Sequence, residues 1–309
     1  MKKTILILTS VLMLFSCYQK PGEYDETVTR GDIKIGVDES FKLLIDTQIS
    51  TFCSEYTYAK ITPQYKPEYD IINDLIIDSV QSIVTAKKLT DNQIKFLEGK
   101  SIIPKTTTIA VDAVAFIVNR ENNDSLIQIN SLKEIFTGTK KDWKEINKNN
   151  KNGAIEVVFD NNKSSNARYL LERLNLKEFQ KNCYTAFTND EVIKYVEKNK
   201  NAIGVISVNW ISENTDSISN NFLKRIRVVG LTSEQDPEGN YYYKPYAAYI
   251  ADKSYPFTRE IYMINCESFR GLGTGFISYV SGEKGQRIVL KAGLVPATMP
   301  VRMVEINKK

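Results

Sequence analysis

Asp32-Ile33-Lys34-Ile35-Gly36-Val37 alternates polar and apolar side chains, and residues 41–52 then place apolar residues at helical spacing. A period of two marks a strand with one buried face; recurrence at three and four residues marks a helix face. The unit repeats down the chain. Strands are expected over 58–65, 82–85, 107–118, 155–159, 202–208 and 226–229, and helices over 69–80, 92–97, 168–174 and 190–198. Ser131-Leu132-Lys133-Glu134 has the spacing of a capping box opening a helix to Phe136. A last helix is expected over 276–292, stopped by Gly293. Strands and helices in alternation predict α/β architecture.

Three strand–loop–helix junctions, at 37–41, 82–89 and 159–168, set hydroxyl, amide or small polar residues where a helix begins. Helix N-termini carry unpaired N–H groups and a partial positive charge, so they accept anions. Each junction read alone is an ordinary N-cap; several converging on one crevice would make a ligand site.

The first residues carry an export signal. Lys2 and Lys3 precede an apolar run over 5–15, too short to span a bilayer comfortably and suited to a signal peptide. It ends Leu14-Phe15-Ser16-Cys17, which resembles a bacterial lipobox. That resemblance implies cleavage of residues 1–16 and lipid attachment at Cys17, with two or three acyl chains as a lasting membrane anchor. Residues 17–30 have no apolar period and read as a flexible tether.

Of the 309 residues none is histidine. This removes Ser-His-Asp and Cys-His catalysis and the usual zinc ligand sets, so no catalytic residue, metal or cofactor is assigned. Cys53, Cys183 and Cys266 share no short spacing, which leaves either one disulfide or buried free thiols. The net charge of +4 and the absence of long basic blocks argue against a nucleic-acid partner. No other stretch is apolar enough to cross a membrane.

The order of motifs resembles the PstS-type phosphate-binding proteins of ABC transporters, in a divergent lipoprotein branch, over most of the chain. The resemblance is carried by residues 82–90 with Ile102-Ile103-Pro104-Lys105, by 109–119 (IAVDAVAFIVN), by 132–143 (LKEIFTGTKKDW), by Gly204-Val205-Ile206, by Tyr255-Pro256-Phe257-Thr258-Arg259 and by 271–287. It implies a two-lobed α/β fold of the type 2 periplasmic binding proteins. Two hinge crossovers, near 111–117 and 228–231, would join the lobes and leave an interlobe ligand cleft. The first lobe would take residues 31–113 and 229–309, the second 114–228. The resemblance also implies a monomer working with an ABC transporter permease on the outer side of a membrane.

Residues 36–41 (GVDESF) are similar in place to the family's GAGATF, which implies that Ser40 and the Phe41 N–H meet phosphate oxygens. Ser164-Ser165-Asn166 stands where the family has SGT, with Arg168 two residues on. Thr85 and Lys87 stand where relatives have Ser followed by Asp or Arg. The chain departs from the pattern at Asp160, where a basic Arg is common, and over 64–70 (QYKPEYD), where the family has a Gly/Ser-rich loop. Ser40, Thr85, Ser164 and Asn166 are thus expected around one small oxyanion.

Other readings of single stretches are structural. Gly271-Leu272-Gly273-Thr274-Gly275 lacks the context of a nucleotide loop and reads as a turn. Tyr241-Tyr242-Tyr243, Tyr246 and Tyr249 read as an edge segment rather than a stacking platform, and Asp70, Asp74 and Asp78 as a solvated helix face. Three functions remain: a phosphate receptor for uptake, a non-transport sensing or surface lipoprotein on the same fold with an altered site, and a phosphate-ester hydrolase.

Overall fold

The computed structural model describes residues 26–212 and 222–299. The expected signal peptide and lipid-attachment residue Cys17 lie outside them. The first half opens with β1 (Gly31–Asp38), a tight turn over Glu39–Phe41, α1 (Lys42–Glu55), β2 (Ala59–Lys66), α2 (Glu68–Ile76), β3 (Ser82–Thr85) and α3 (Asp91–Gly99). The chain then runs through β4 (Lys105–Asn119), β5 (Leu126–Ile127), α4 (Ile129–Phe136), β6 (Glu156–Phe159), α5 (Ser165–Arg173), β7 (Cys183–Thr185), α6 (Asn189–Lys198) and β8 (Ala202–Ser207). It closes with β9 (Ile226–Val228), β10 (Gly230–Leu231), α7 (Ala247–Ala251), β11 (Thr258–Asn265), α8 (Leu272–Ser281), α9 (Glu283–Lys291) and β12 (Val295–Pro296).

The sheet order is β2-β1-β3-β11-β4-β8-β6-β7. Strand β4 belongs to both halves. Residues Lys105 to Ala113 pair antiparallel with β11, whereas Val114 to Val118 pair antiparallel with β8. Its partner therefore changes between Ala113 and Val114. On either side the strands are parallel, β1 with β2 and β3, and β6 with β7 and β8. From Ile109 onward β4 is almost continuously buried, as a strand covered on both faces must be. One apolar core follows it through both halves, and a smaller cluster (Ile71, Leu75, Ile83, Leu97, Ile264) fills the space under α2 and α3.

Several local expectations are corrected. The capping box does not open α4, which begins two residues earlier; Ser131 lies inside it and accepts from Lys140 Nζ (2.8 Å). The N–H of Ile129 is instead capped by Thr232 Oγ1 (2.9 Å), a residue distant in sequence. The expected 276–292 helix is two helices broken at Gly282, and the first begins at Leu272. Gly271-Leu272-Gly273-Thr274-Gly275 is therefore a helix start, not a turn. A Cβ on Gly275 would meet the Val28 carbonyl at 1.8 Å, so α8 lies directly on residues 26–30. Those residues are packed rather than tethered in the open: Glu26 accepts from the Leu272 N–H (2.9 Å).

Helix α2 ends at Ile76, before the expected residue 80, because Asp78 turns left-handed (φ 62°). Asp78 thus leaves the face shared by Asp70 and Asp74, which pair with Lys163 and Lys66. Gly230–Leu231 pairs with β5, and Leu231 bridges to Tyr243, so the chain is still in the second half at Leu231, beyond the boundary expected at residue 228. Tyr249 meets Tyr243 edge to face (5.1 Å between centroids) and Tyr246 at a tilt (6.3 Å). Cys53, Cys183 and Cys266 are free. Among the described residues no helix is long and apolar enough to cross a membrane.

Gly204 lets α6 approach β8: a Cβ there would meet Ile117 and Val196 at 2.7 Å and Val192 at 2.9 Å. Gly204→Ala is expected to lose about 1–3 kcal/mol of stability in urea denaturation, the usual cost of overpacking. Gly99→Ala, with open space around the added methyl, should stay within about 1 kcal/mol of wild type.

Candidate functional site

The carboxyl ends of β1, β3 and β6 lead into helix starts that face one another across the two halves. At the first, Asp38 accepts from the Ser40 N–H (2.8 Å) and caps the turn before α1. At the third, Ser164 caps α5: its Oγ accepts from the Ala167 N–H (3.2 Å) and donates to Asp160 Oδ1 (2.7 Å). The two junctions touch. Ser165 Oγ lies 3.4 Å from Ser40 Oγ, the Ser165 N–H donates to Asp38 Oδ2 (3.1 Å), and Ser40 Oγ is 3.5 Å from Asp160 Oδ2. All of these side chains are buried.

The Ser40 carbonyl is held from the second half. Asn209 Nδ2 donates to it at 2.7 Å and Trp210 Nε1 at 3.0 Å. Asn166 accepts at Oδ1 from Arg259 Nη2 (2.8 Å) and approaches Asn189 Oδ1 with Nδ2 (3.4 Å). Arg259 in turn pairs with Asp112 on β4 (2.9 Å), and Ser207 completes Asp112 (2.8 Å). The Phe41 side chain lies in the core beneath the Arg259 guanidinium (5.2 Å). Two buried polar atoms here have no partner, Arg259 Nη1 and Asn209 Oδ1.

Thr85 does not join the Ser40–Ser164 group directly. Its Oγ1 donates to Glu68 Oε1 (2.8 Å), as do the Ala86 N–H (3.0 Å) and Arg168 Nη2 (3.2 Å). Arg168 Nε pairs with the other Glu68 oxygen, and Nη1 with Glu172 (2.7 Å). The Lys87 N–H donates to Thr85 Oγ1 (3.2 Å), and its ammonium lies 3.7 Å from Glu172. The predicted residues therefore form two adjoining groups. Ser40, Ser164, Ser165 and Asn166 make one; Thr85, Lys87 and Arg168 gather around Glu68 and Glu172.

The carboxylates Asp38, Glu39, Glu68 and Asp160 are the members that sequence reasoning missed as ligand-site groups. Burial pushes the Asp38 carboxyl up, and the Glu68 charge adds to this against the pull of Arg259. Burial and then Asp38 raise Asp160 to about 6. Burial raises Glu39 to about 8, although Asn189 donates to it twice. Burial likewise raises Asp112, opposed by Arg259. Acidic residues beside each predicted donor were the available signal, but the contacts that join the halves are distant in sequence: 127 residues separate Asp38 from Ser165, 150 separate Glu39 from Asn189 and 100 separate Glu68 from Arg168. Among the described residues no group of His, Cys, Asp and Glu is arranged to hold a metal ion.

Two α/β halves sharing one strand, with helix starts from both meeting in a cleft, define a two-lobed binding protein. Residues 22–284 match the model of the PBP superfamily domain, and the chain belongs to that superfamily. The phosphate-binding protein PstS of Staphylococcus aureus (strain USA300) is 24% identical over 295 residues, covering 94% of this chain and 86% of the relative. Among solved structures, a Clostridium perfringens protein described as a phosphate ABC transporter substrate-binding protein with bound phosphate superposes with a TM-score of 0.73. It is 20% identical, with 87% of this chain and 100% of that chain covered. An ABC-type phosphate transport receptor from Vibrio cholerae gives a TM-score of 0.63 at 17% identity, over 87% and 100% of the two chains. These likenesses establish the shared fold.

A carboxyl whose folded-state pKa is raised binds its proton more tightly than in the unfolded chain. Its contribution to stability is full below the unfolded value and is lost as pH rises through the folded one. For Asp160 and Glu39 that window runs from about 4 to about 8. The melting temperature is expected to fall between about pH 4 and 8, and Glu39→Gln to flatten the upper part of that fall by a few °C. Thermal unfolding followed by circular dichroism across this range checks both.

Proposed function

We propose that the chain is a solute-binding protein that captures phosphate or a similar small oxyanion between its lobes for ABC-type uptake, held on the outer side of a membrane by lipid at Cys17. One observation carries the reading: Ser40 and Ser165 Oγ lie 3.4 Å apart across the lobes, each beside a helix start. Hydroxyls and backbone N–H groups at helix starts disperse the charge of an oxyanion without a full counter-charge. The unpartnered Arg259 Nη1, beside Asn166, adds a charged donor. Relatives named as phosphate-binding proteins over nearly the whole chain favour phosphate as the oxyanion. In this reading Ser40, the Phe41 N–H, Ser164, Ser165 and Asn166 bind the ligand, Thr85, Lys87 and Arg168 complete its surroundings, and the partner is an ABC permease.

A second reading draws on the carboxylates. Asp38, Asp160 and Glu68 stand among the donors, and each repels an entering anion while ionised. That favours a sensing or surface lipoprotein on the same fold, with an altered oxyanion site.

Calorimetric titration of refolded mature protein separates the two. One-to-one binding of phosphate with no heat from sulfate supports uptake, and Ser40→Ala should then weaken binding about tenfold or more, as loss of a bond to a charged group does. A folded protein giving no heat with phosphate favours the second reading. The lipid at Cys17 is tested separately. Cells expressing the full chain should incorporate labelled palmitate into it, and Cys17→Ala should abolish the label; label retained by the variant would refute the anchor.

A further inference from the structure

Glu68 is the first residue of α2 and is buried, yet it caps nothing in its own helix. Its two oxygens take four donors: Thr85 Oγ1, the Ala86 N–H, and Nη2 and Nε of Arg168. A carboxylate has about four acceptor positions; three of these donors converge on Oε1 and one on Oε2. The donors come from both lobes, from the end of β3 on one side and α5 on the other. A hydroxyl, a backbone N–H and a forked guanidinium are the set that grips a phosphate as readily as a carboxylate. Pro67 precedes Glu68 with φ −59° and ψ 149°, and its ring restricts the direction in which α2 starts.

We propose that Glu68 is a tethered competitor for the oxyanion, its carboxylate filling the seat that Thr85, the Ala86 N–H and Arg168 otherwise offer to an external anion. This rests on the oxyanion reading of the cleft. A covalently held rival acts at a high effective concentration, so an entering anion must displace it as well as bind. Displacement has a route: a groove of about 480 Å³ opens beside this point, mostly apolar in its lining (Tyr69, Ile72, Leu171), with Lys87, Arg168 and Glu68 among its charged members. The alternative is that Glu68 and Arg168 merely clasp the lobes. The two make opposite predictions. Removing a clasp weakens the closed state and lowers affinity for a ligand held between the lobes; removing a competitor raises it.

The test is calorimetric titration of Glu68→Ser and Glu68→Gln with inorganic phosphate beside wild type, each freed of bound anion by unfolding and refolding. Thermal unfolding confirms that each is folded, and Glu68→Gln carries the test should the serine variant not fold. Phosphate binding at least tenfold tighter in a folded variant is the expected result. Equal or weaker binding in the folded variants overturns the proposal. Binding by the variants but not by wild type upholds it while refuting phosphate capture by the native chain. Binding by wild type with no gain in the variants does the reverse, and no binding by any of them removes both.

Discussion

The carboxylate of Asp38 ties the cleft together. It takes the Ser40 N–H at the start of one lobe's first helix and the Ser165 N–H at the start of the other lobe's α5. Helix starts concentrate unpaired N–H groups and positive potential. Two of them brought face to face call for a negative group between them, and here the chain supplies it. The same solution recurs away from the cleft, where Glu267 accepts from the N–H groups of Gly273 and Thr274 at the start of α8. In the cleft the cost is higher. Burial raises Asp38, Asp160 and Glu39 first; the Glu68 charge then adds to Asp38, the Asp38 charge to Asp160, and the Asp160 and Asp38 charges to Glu39. Neutral acids among these groups offer hydrogen-bond donors where ionised ones offer only acceptors.

The lobes and the cleft share their other anchor. Arg259 sits on β11 and reaches Asp112 on β4, one residue before the position where β4 changes partner, and also Asn166 on α5. A buried ion pair contributes little net stability, but removing one member typically costs about 3–5 kcal/mol, because the other is left uncompensated. Here its geometry matters more. The guanidinium links the shared strand to a residue of the cleft, so a change in the angle between lobes is felt at Asn166. The Val208–Trp210 turn does the same from the end of β8, through Asn209 and Trp210 on the Ser40 carbonyl.

What the sequence made legible follows from the range of each interaction. Strand and helix periods are local, so the alternating architecture, the long β4 and most element positions could be read directly. The hydroxyls at the junctions could be read for the same reason, since Ser164 caps its own helix three residues on. Glu68 and Arg168 are 100 residues apart, and Asp38 and Ser165 are 127 apart; no local pattern joins them. The start of α4 fails the same way: its cap comes from Thr232, while Ser131 has the right spacing and the wrong position. The break between α8 and α9 was hidden because both helices place their buried residues at helical spacing. Only Gly282 marks it, and a single glycine does not distinguish a tolerated residue from a corner.

Departures from the family pattern carry more information together than singly. Asp160 in place of a basic residue removes a counter-charge, and Glu68 in the 64–70 stretch adds a negative one. Both changes lower the demand for an external anion. Yet the donors proposed for such an anion are present: Ser40, Ser165, Thr85, the Ala86 N–H, Arg168 and Arg259. Here nearly every donor has been matched to a carboxylate of the chain itself. Binding in such a cleft is an exchange of partners, and its free energy is a difference between two sets of charged hydrogen bonds. Small changes in either set then decide whether an external anion or the protein's own carboxylates hold the lobes together.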